Sequence, residues 1–237
     1  LQADIVGHYN ATKKVFEGGH FGVYEFHPVV SKLQIFCSED LGAFYLDVLK
    51  DRLYTTAPRS HARRSAQTAL WHITQAMLRW MAPFLSFTAE EAWGVFGDSE
   101  SIFLETYTEM NSVDSALLEK WARIKEIRDF ANKKIEDQRT AGLIGSPLQA
   151  YLYGQATAED LKLLTSLGDD IKFVFITSKV TLQVGEQLAV QVTASQAPKC
   201  DRCWHYVDEV GHDAAHPTIC GRCVSNLAGH EENRQIA

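Results

Sequence analysis

Four cysteines near the C-terminal end of the sequence, Cys200, Cys203, Cys220 and Cys223, form two C-x2-C pairs separated by sixteen residues. A pair spaced by two residues folds into a tight knuckle that presents two thiolates to one ion, and two knuckles complete a tetrahedral site with no open position. The chemistry this predicts is structural: one zinc ion held by four thiolates. Two disulfides would use the same cysteines but need an oxidising compartment that nothing else in the chain supports, and a redox pair would not call for two knuckles. His205 and His216 lie in the same segment and could replace a thiolate, but four cysteines already saturate the site, so surface or packing roles are expected for both. The fifth cysteine, Cys37 in "LQIFCSED", reads as a small buried apolar residue with no reactive role.

The composition bounds what such a clasp can serve. The chain has 237 residues, 46% of them hydrophobic, enough for a sizeable core. Its net charge of -7 does not advertise the whole molecule to polyanions, so any nucleic-acid surface must be local. Neither an apolar run of about eighteen residues nor a cleavable leader is visible, which makes a soluble cytoplasmic protein with no membrane partner the expectation. The opening "LQADIVGHYNATKKVFEGG" reads as the interior of something helical, as in a piece of a longer protein.

The elements that must position the cysteines begin with a helical region from Gln34 to about Gln138. Ser38 is expected to cap a helix with Glu39 and Asp40 in its first turn and an apolar stripe of Leu41, Tyr45, Val48, Leu49 and Leu53. Pro58 breaks it. Ala66, Leu70, Ile73, Met77, Met81 and Phe84 then recur at spacings of three and four. Thr88 followed by Glu91 has the capping-box pattern for "TAEEAWGVF", and a loop is expected from Gly97 to about Ser112. Leu117, Trp121, Ile124, Ile127, Ala131 and Ile135 mark a third long helix, and Val15 to Phe36 is expected to supply further helices.

After Gly142 the texture changes. "LQAYLYG" alternates, "TAEDLKLLTSLG" is a short capped helix, and "IKFVFIT", "KVTLQV" and "LAVQVTA" read as strands. The fold class predicted is mainly α: an antiparallel helical bundle over residues 1–141, a small α/β unit over 142–195 and a small zinc-binding domain over 196–237. The last has too little apolar material to fold without its metal.

"KWARIKEIRDFANKKIEDQR" carries seven Lys or Arg against four acidic residues, a local basic patch. Lys120, Arg128, Lys133, Lys134 and Arg139 are candidates for phosphate contacts because they fall mostly off the apolar stripe, and Arg59, Arg63 and Arg64 form a second cluster. A solvated helix face with internal ion pairs explains the same charges. Trp204, His205 and Tyr206 could stack on unpaired bases, or cover the zinc site.

Several stretches together resemble one family. "CSEDLGAFYLDVLKDRLYTTAPRSHARRSAQTAL" and "MAPFLSFTAEEAW" are similar to the helical anticodon-binding domain of class I aminoacyl-tRNA synthetases of the isoleucyl, valyl and leucyl group, and "GLIGSPLQAYLYG" to the segment after its third long helix. "CDRCWHYV" followed by "HPTICGRCVSNLAG" resembles the C-terminal zinc domain of the bacterial isoleucyl enzymes. The resemblance covers essentially the whole chain. It implies tRNA recognition through the anticodon stem and loop, an isoleucine-specific tRNA as partner, and catalytic and editing domains elsewhere in the same polypeptide. The intact enzyme would use ATP to attach isoleucine. No counterpart of the family's HIGH-like or KMSKS-like signature occurs in these residues, so this chain alone is expected to bind tRNA as a monomer without catalysing. The tail "GHEENRQIA" is acidic, opposite in sign to a phosphate grip. A rival class is a non-enzymatic scaffold binding another protein or RNA. Zinc tails of this kind also occur in DNA-repair glycosylases, whose N-terminal catalytic residue has no match at Leu1.

Overall fold

The computed structural model describes residues 1–107, 114–234 and 236. Its helices, in chain order, are α1 (Gln2–Ile5), α2 (Phe26–Ile35), α3 (Asp47–Thr55), α4 (His61–Met81), α5 (Ser86–Phe96), α6 (Ser115–Thr140), α7 (Ala158–Thr165), α8 (Ile171–Val174) and α9 (Gly221–Leu227). The strands are β1 (His8–Asn10), β2 (Val15–Glu17), β3 (Ala150–Ala156), β4 (Lys179–Val184) and β5 (Ala189–Ala194). The chain is mainly α with two small sheets. None of the described helices is long and apolar enough to cross a membrane. Two compact units result, Leu1–Leu46 with Gln67–Ser112, and Asp47–Ala66 with Val113–Ala237.

In the first unit β1 and β2 pair antiparallel, Tyr9 opposite Phe16. This corrects the expectation of helix from Val15 onward. Asn10 folds the chain back by accepting the amide hydrogens of Thr12 and Lys13, and Gly18 and Gly19 take positive φ, so no helix can run through. Within Val15 to Phe36, a tight helical turn at Phe21–Val23 precedes α2, which starts at Phe26. Ile5, Val6, Val29, Leu33, Ala76 and Trp80 make one core cluster, and Leu78, Ala82, Ala89, Trp93 and Ile102 another. Neither predicted cap holds. Ser38 lies inside helix, its hydroxyl donating back to the carbonyls of Gln34 and Ile35, and α5 begins at Ser86, leaving Thr88 within it. From Phe36 to Leu46 the helix widens into π turns. Gly42 suits them, because a Cβ there would stand 2.9 Å from the Cys37 carbonyl oxygen. Cys37 itself is only partly buried. The expected loop from Gly97 contains a tight helical turn at Ile102–Leu104, and its end at residues 108–112 lies outside the described residues.

The second unit is built on α3, α6 and the three-stranded sheet. Ser60 Oγ accepts the Arg63 amide hydrogen at the entry to α4, after the break at Pro58. Asp114 caps α6 by accepting from the Leu117 amide, and Ile124, Ile127, Ala131 and Ile135 form its buried stripe. Gly142, at φ 72, ends it: the Leu143 amide reaches back to the Gln138 carbonyl, a geometry a Cβ would strain. β3 is central, parallel to β4 and antiparallel to β5. The run "IKFVFIT" is not a strand but α8 and a turn, with Ile171, Phe173, Val174 and Phe175 all buried. A short continuous apolar run has no period that separates strand from buried helix. Thr157 caps α7, and Asp160 in its first turn receives two hydrogen bonds of 2.8 Å from Arg123 of α6.

Gly42→Ala should destabilise by about 1–3 kcal/mol, read as a lower urea midpoint, reversing the usual gain of alanine over glycine in helices. The hydrogen bond from Arg123 lowers the Asp160 carboxyl below its ordinary value, so its contribution is present at neutral pH and is lost as acid protonates it. The stability difference between the wild type and Asp160→Asn should therefore be flat from about pH 8 to 5 and shrink below about pH 4. A constant difference down to low pH would show the ion pair contributes nothing.

Candidate metal centre and nucleic-acid surface

The first knuckle is shaped by the backbone. The Cys200 amide donates to the His205 carbonyl and the Trp204 amide to the Cys200 carbonyl, which curls the chain around the pair Cys200 and Cys203. Trp204 sits at φ 64, the left-handed region, where a bulky residue persists only if its surroundings enforce it. The Asp201 amide reaches across to Thr218, the Cys220 amide donates to Cys200 Sγ at 3.3 Å, and α9 carries Cys223 inward.

All four sulfurs are buried and lie within 4.8 Å of one another. The Cys200–Cys223 and Cys203–Cys220 sulfur distances are both 3.8 Å. A disulfide would be about 2.0 Å. A tetrahedron with Zn–S bonds of about 2.3 Å has edges of about 3.8 Å, so the donor set fits one zinc ion. Its electrostatics call for a cation. Hydrogen bonds from Cys203 and Cys223 bring the Cys220 thiol down to about 3, while those to Cys203 and Cys220 push the Cys223 thiol far up. Four thiolates in this volume cannot all ionise alone. A bound zinc supplies the positive charge and four bonds that close the segment.

His205 is buried, not a surface residue. Its Nδ1 lies 3.2 Å from the Cys203 carbonyl, which can only accept, so Nδ1 carries the proton. The ring stands edge-on to Phe173. Asp51, Cys203 and His205 also converge, but the Asp51 carboxylate is engaged by two guanidiniums.

All eleven residues offered for nucleic acid fall in the second unit. Arg59, Arg64, Lys133, Lys134, Arg139 and Trp204 are exposed; Arg63, Lys120 and Tyr206 are half-buried; Arg128 and His205 are buried. Arg128 Nε donates to the Val174 carbonyl at 2.8 Å and its guanidinium reaches Asp47, so it is a packing residue. Arg139 makes a two-point pair with Glu136. Lys134 Nζ lies 6.0 Å from the Phe130 ring. At 100° per residue, Lys133 points opposite the buried stripe among Glu126, Asp129 and Asp137, while Lys134 and Arg139 flank it on either side. Trp204 is the exposed aromatic of its trio, at 59%, with Lys199 Nζ 5.4 Å above the ring.

The residues that seat the zinc module carry no signal in the sequence. Arg222, between two ligands, makes a two-point pair with Asp51 at 2.7 and 2.8 Å, and Arg234 pairs with the same carboxylate. Arg202 donates to the Thr55 carbonyl, and the Ala57 amide donates to Asn226 Oδ1. These partners lie so far apart in sequence that no local pattern couples them.

Residues 5–152 match the anticodon-binding domain of tRNA ligase. The chain belongs to this family. Residues 198–226 match the zinc finger found in FPG and IleRS. The chain is 56% identical over its whole length to the isoleucine-tRNA ligase of Cupriavidus taiwanensis, and 58% identical over 92% of its length to that of Ralstonia pickettii. A Burkholderia cenocepacia isoleucine-tRNA ligase is 57% identical over 92% of the chain. The chain spans 24% of each of these relatives.

Chelation should release one zinc per chain and expose residues 197–228 to amide exchange and protease, while most of the helical circular dichroism survives because α2 to α6 hold no ligand. Loss of the whole helical signal would show that the ion supports more than its own module.

Proposed function

We propose that this chain is the tRNA-recognition part of an isoleucine-tRNA ligase. The observation that carries the reading is the coexistence, in one chain, of a family match to an anticodon-binding domain over residues 5–152 and a four-thiolate cluster with the edge length of a zinc tetrahedron. The domain boundaries are 1–141, 142–195 and 196–237, the ligands Cys200, Cys203, Cys220 and Cys223, and the partner an isoleucine-specific tRNA in the cytoplasm. Activation of isoleucine by ATP and editing belong to catalytic domains of the same polypeptide, and this chain, a monomer, is inactive alone.

Phosphate contacts come from the exposed cations Arg59, Arg64, Lys133 and Lys134, with Arg63, Lys120 and Arg139 at the margin. Arg128 and His205 support this surface from beneath. Trp204 supplies the stacking face. Its strained backbone and exposed ring are the combination expected of a residue kept for contact, since a buried indole would bring more packing energy. Tyr206 stands beside it, its amide tied to Ser178 Oγ at 2.7 Å.

Binding to an isoleucine tRNA transcript, beside the same transcript with a changed anticodon, tests the reading at two salt concentrations. Preferential binding is expected, weakened by chelation and by Trp204→Ala. Equal affinity for both transcripts would refute it. Lys133→Gln with Lys134→Gln should reduce the slope of log affinity against log salt by about 0.7–0.9 for each phosphate no longer neutralised. An unchanged slope would remove both lysines from the interface.

A further inference from the structure

The zinc module is fixed to α3 at one carboxylate. Asp51 projects from α3 and is only 13% exposed; its two oxygens face Arg222 from α9 and Arg234 from the C-terminal tail. Glu232 lies 3.3–3.4 Å from both guanidiniums, so two acids balance two bases. Phe173 forms the floor, with the Arg234 guanidinium carbon 3.5 Å and that of Arg222 5.1 Å from the ring centroid. Arg234 is 4% exposed, in a tail whose acidic composition suggests nothing but solvent. Burial works to raise the Asp51 carboxyl, but Arg222 and Arg234 outweigh it and hold the group ionised far below the carboxylate range. The cluster is therefore a charged lock closed by residues 171 and 183 positions away in sequence.

We propose that Asp51 is a positioning residue: it docks the zinc module and the tail on α3, and thereby sets where Trp204 and its knuckle present themselves to RNA. Zinc folds the module, and Asp51 places it. The two functions separate because no Asp51 oxygen is needed to complete the four-thiolate tetrahedron. Removing the carboxylate leaves the buried Arg234 and half-buried Arg222 guanidiniums facing one remaining acid, an arrangement far less favourable than either the paired or the fully apolar alternative. The consequence for RNA rests on the tRNA reading above, while the docking itself does not.

The test uses the zinc-loaded chain and three readouts: zinc content, amide exchange over residues 197–234, and affinity for the isoleucine tRNA transcript. Asp51→Asn should keep one zinc per chain, exchange about a hundred-fold faster over that segment, and bind tRNA about ten-fold more weakly. Arg234→Met, which keeps an apolar contact on Phe173 and removes one charge, is the second variant should Asp51→Asn fail to accumulate. It should loosen the same segment, and combining it with Asp51→Asn should loosen the segment less than the two effects summed. Wild-type exchange in Asp51→Asn or in Arg234→Met, or additive effects in the double variant, would overturn the docking role. Loss of zinc from Asp51→Asn would overturn the separation of folding from placement. Faster exchange with unchanged tRNA affinity would overturn the positioning role. If the wild type itself shows no affinity for the transcript, the tRNA reading falls, and the exchange data still decide whether Asp51 docks the module.

Discussion

Four sulfur atoms brought within a few ångström of each other are an unstable collection until a cation joins them. Thiolates this close repel, and thiols this buried forfeit their solvation, so the knuckles at Cys200 and Cys220 have a low free energy only around an ion. The segment that carries them has little else to hold it. Apart from the cysteines, its contribution to their cluster is Val207, Val210 and Ile219, all partly exposed. Metal bonding replaces the hydrophobic core that a module of this size cannot assemble. The turn at Trp204 and the short helix α9 bring Cys203 and Cys223 into this cluster.

A metal-bonded module still has to be seated, and polar contacts do the seating. Guanidiniums from Arg222 and Arg234 converge on Asp51, Arg202 donates to the end of α3, and Asn226, 1% exposed, accepts the Ala57 amide hydrogen and donates to Glu232. An apolar interface would tolerate sliding. A two-point arginine pair on a single carboxylate fixes distance and direction together. Arg123 and Asp160 use the same device to join α6 to α7, and Arg128 ties α6 to the Val174 carbonyl at the end of α8. Arg128, which charge pattern offers for nucleic acid, is thus engaged in packing.

Much of this was legible. The spacing of the four cysteines specified the donor set because two-residue spacing is a local geometric requirement. The inner part of the α6 stripe, Ile124 to Ile135, the break at Pro58, the cap at Thr157 and the strands β4 and β5 followed from periodicity and turn chemistry, which act over a few residues; on α4 only Ala66 of the expected stripe is buried, and Ala76, Leu78 and Trp80 carry the core face instead. Ser38 misled because a hydroxyl in helical sequence is the same signal whether it caps a helix or bonds back to the preceding turn, and Thr88 because α5 starts two residues before it, at Ser86. "IKFVFIT" misled because burial on all sides erases the period that tells strand from helix.

The sequence alone therefore determined the metal chemistry, the predominance of helix and the family, since each is written in short-range spacing or in motifs that survive side by side. Tertiary structure decided which charges are surface and which are structural. Arg128, His205, Arg222 and Arg234 look no different in sequence from Lys133 or Trp204, and their burial depends on partners brought near by folding. Asp51 is the clearest case: within "KDRLY" it is one charge among three, and only the return of the chain from Cys220 to Arg234 makes it the point where the zinc module meets α3.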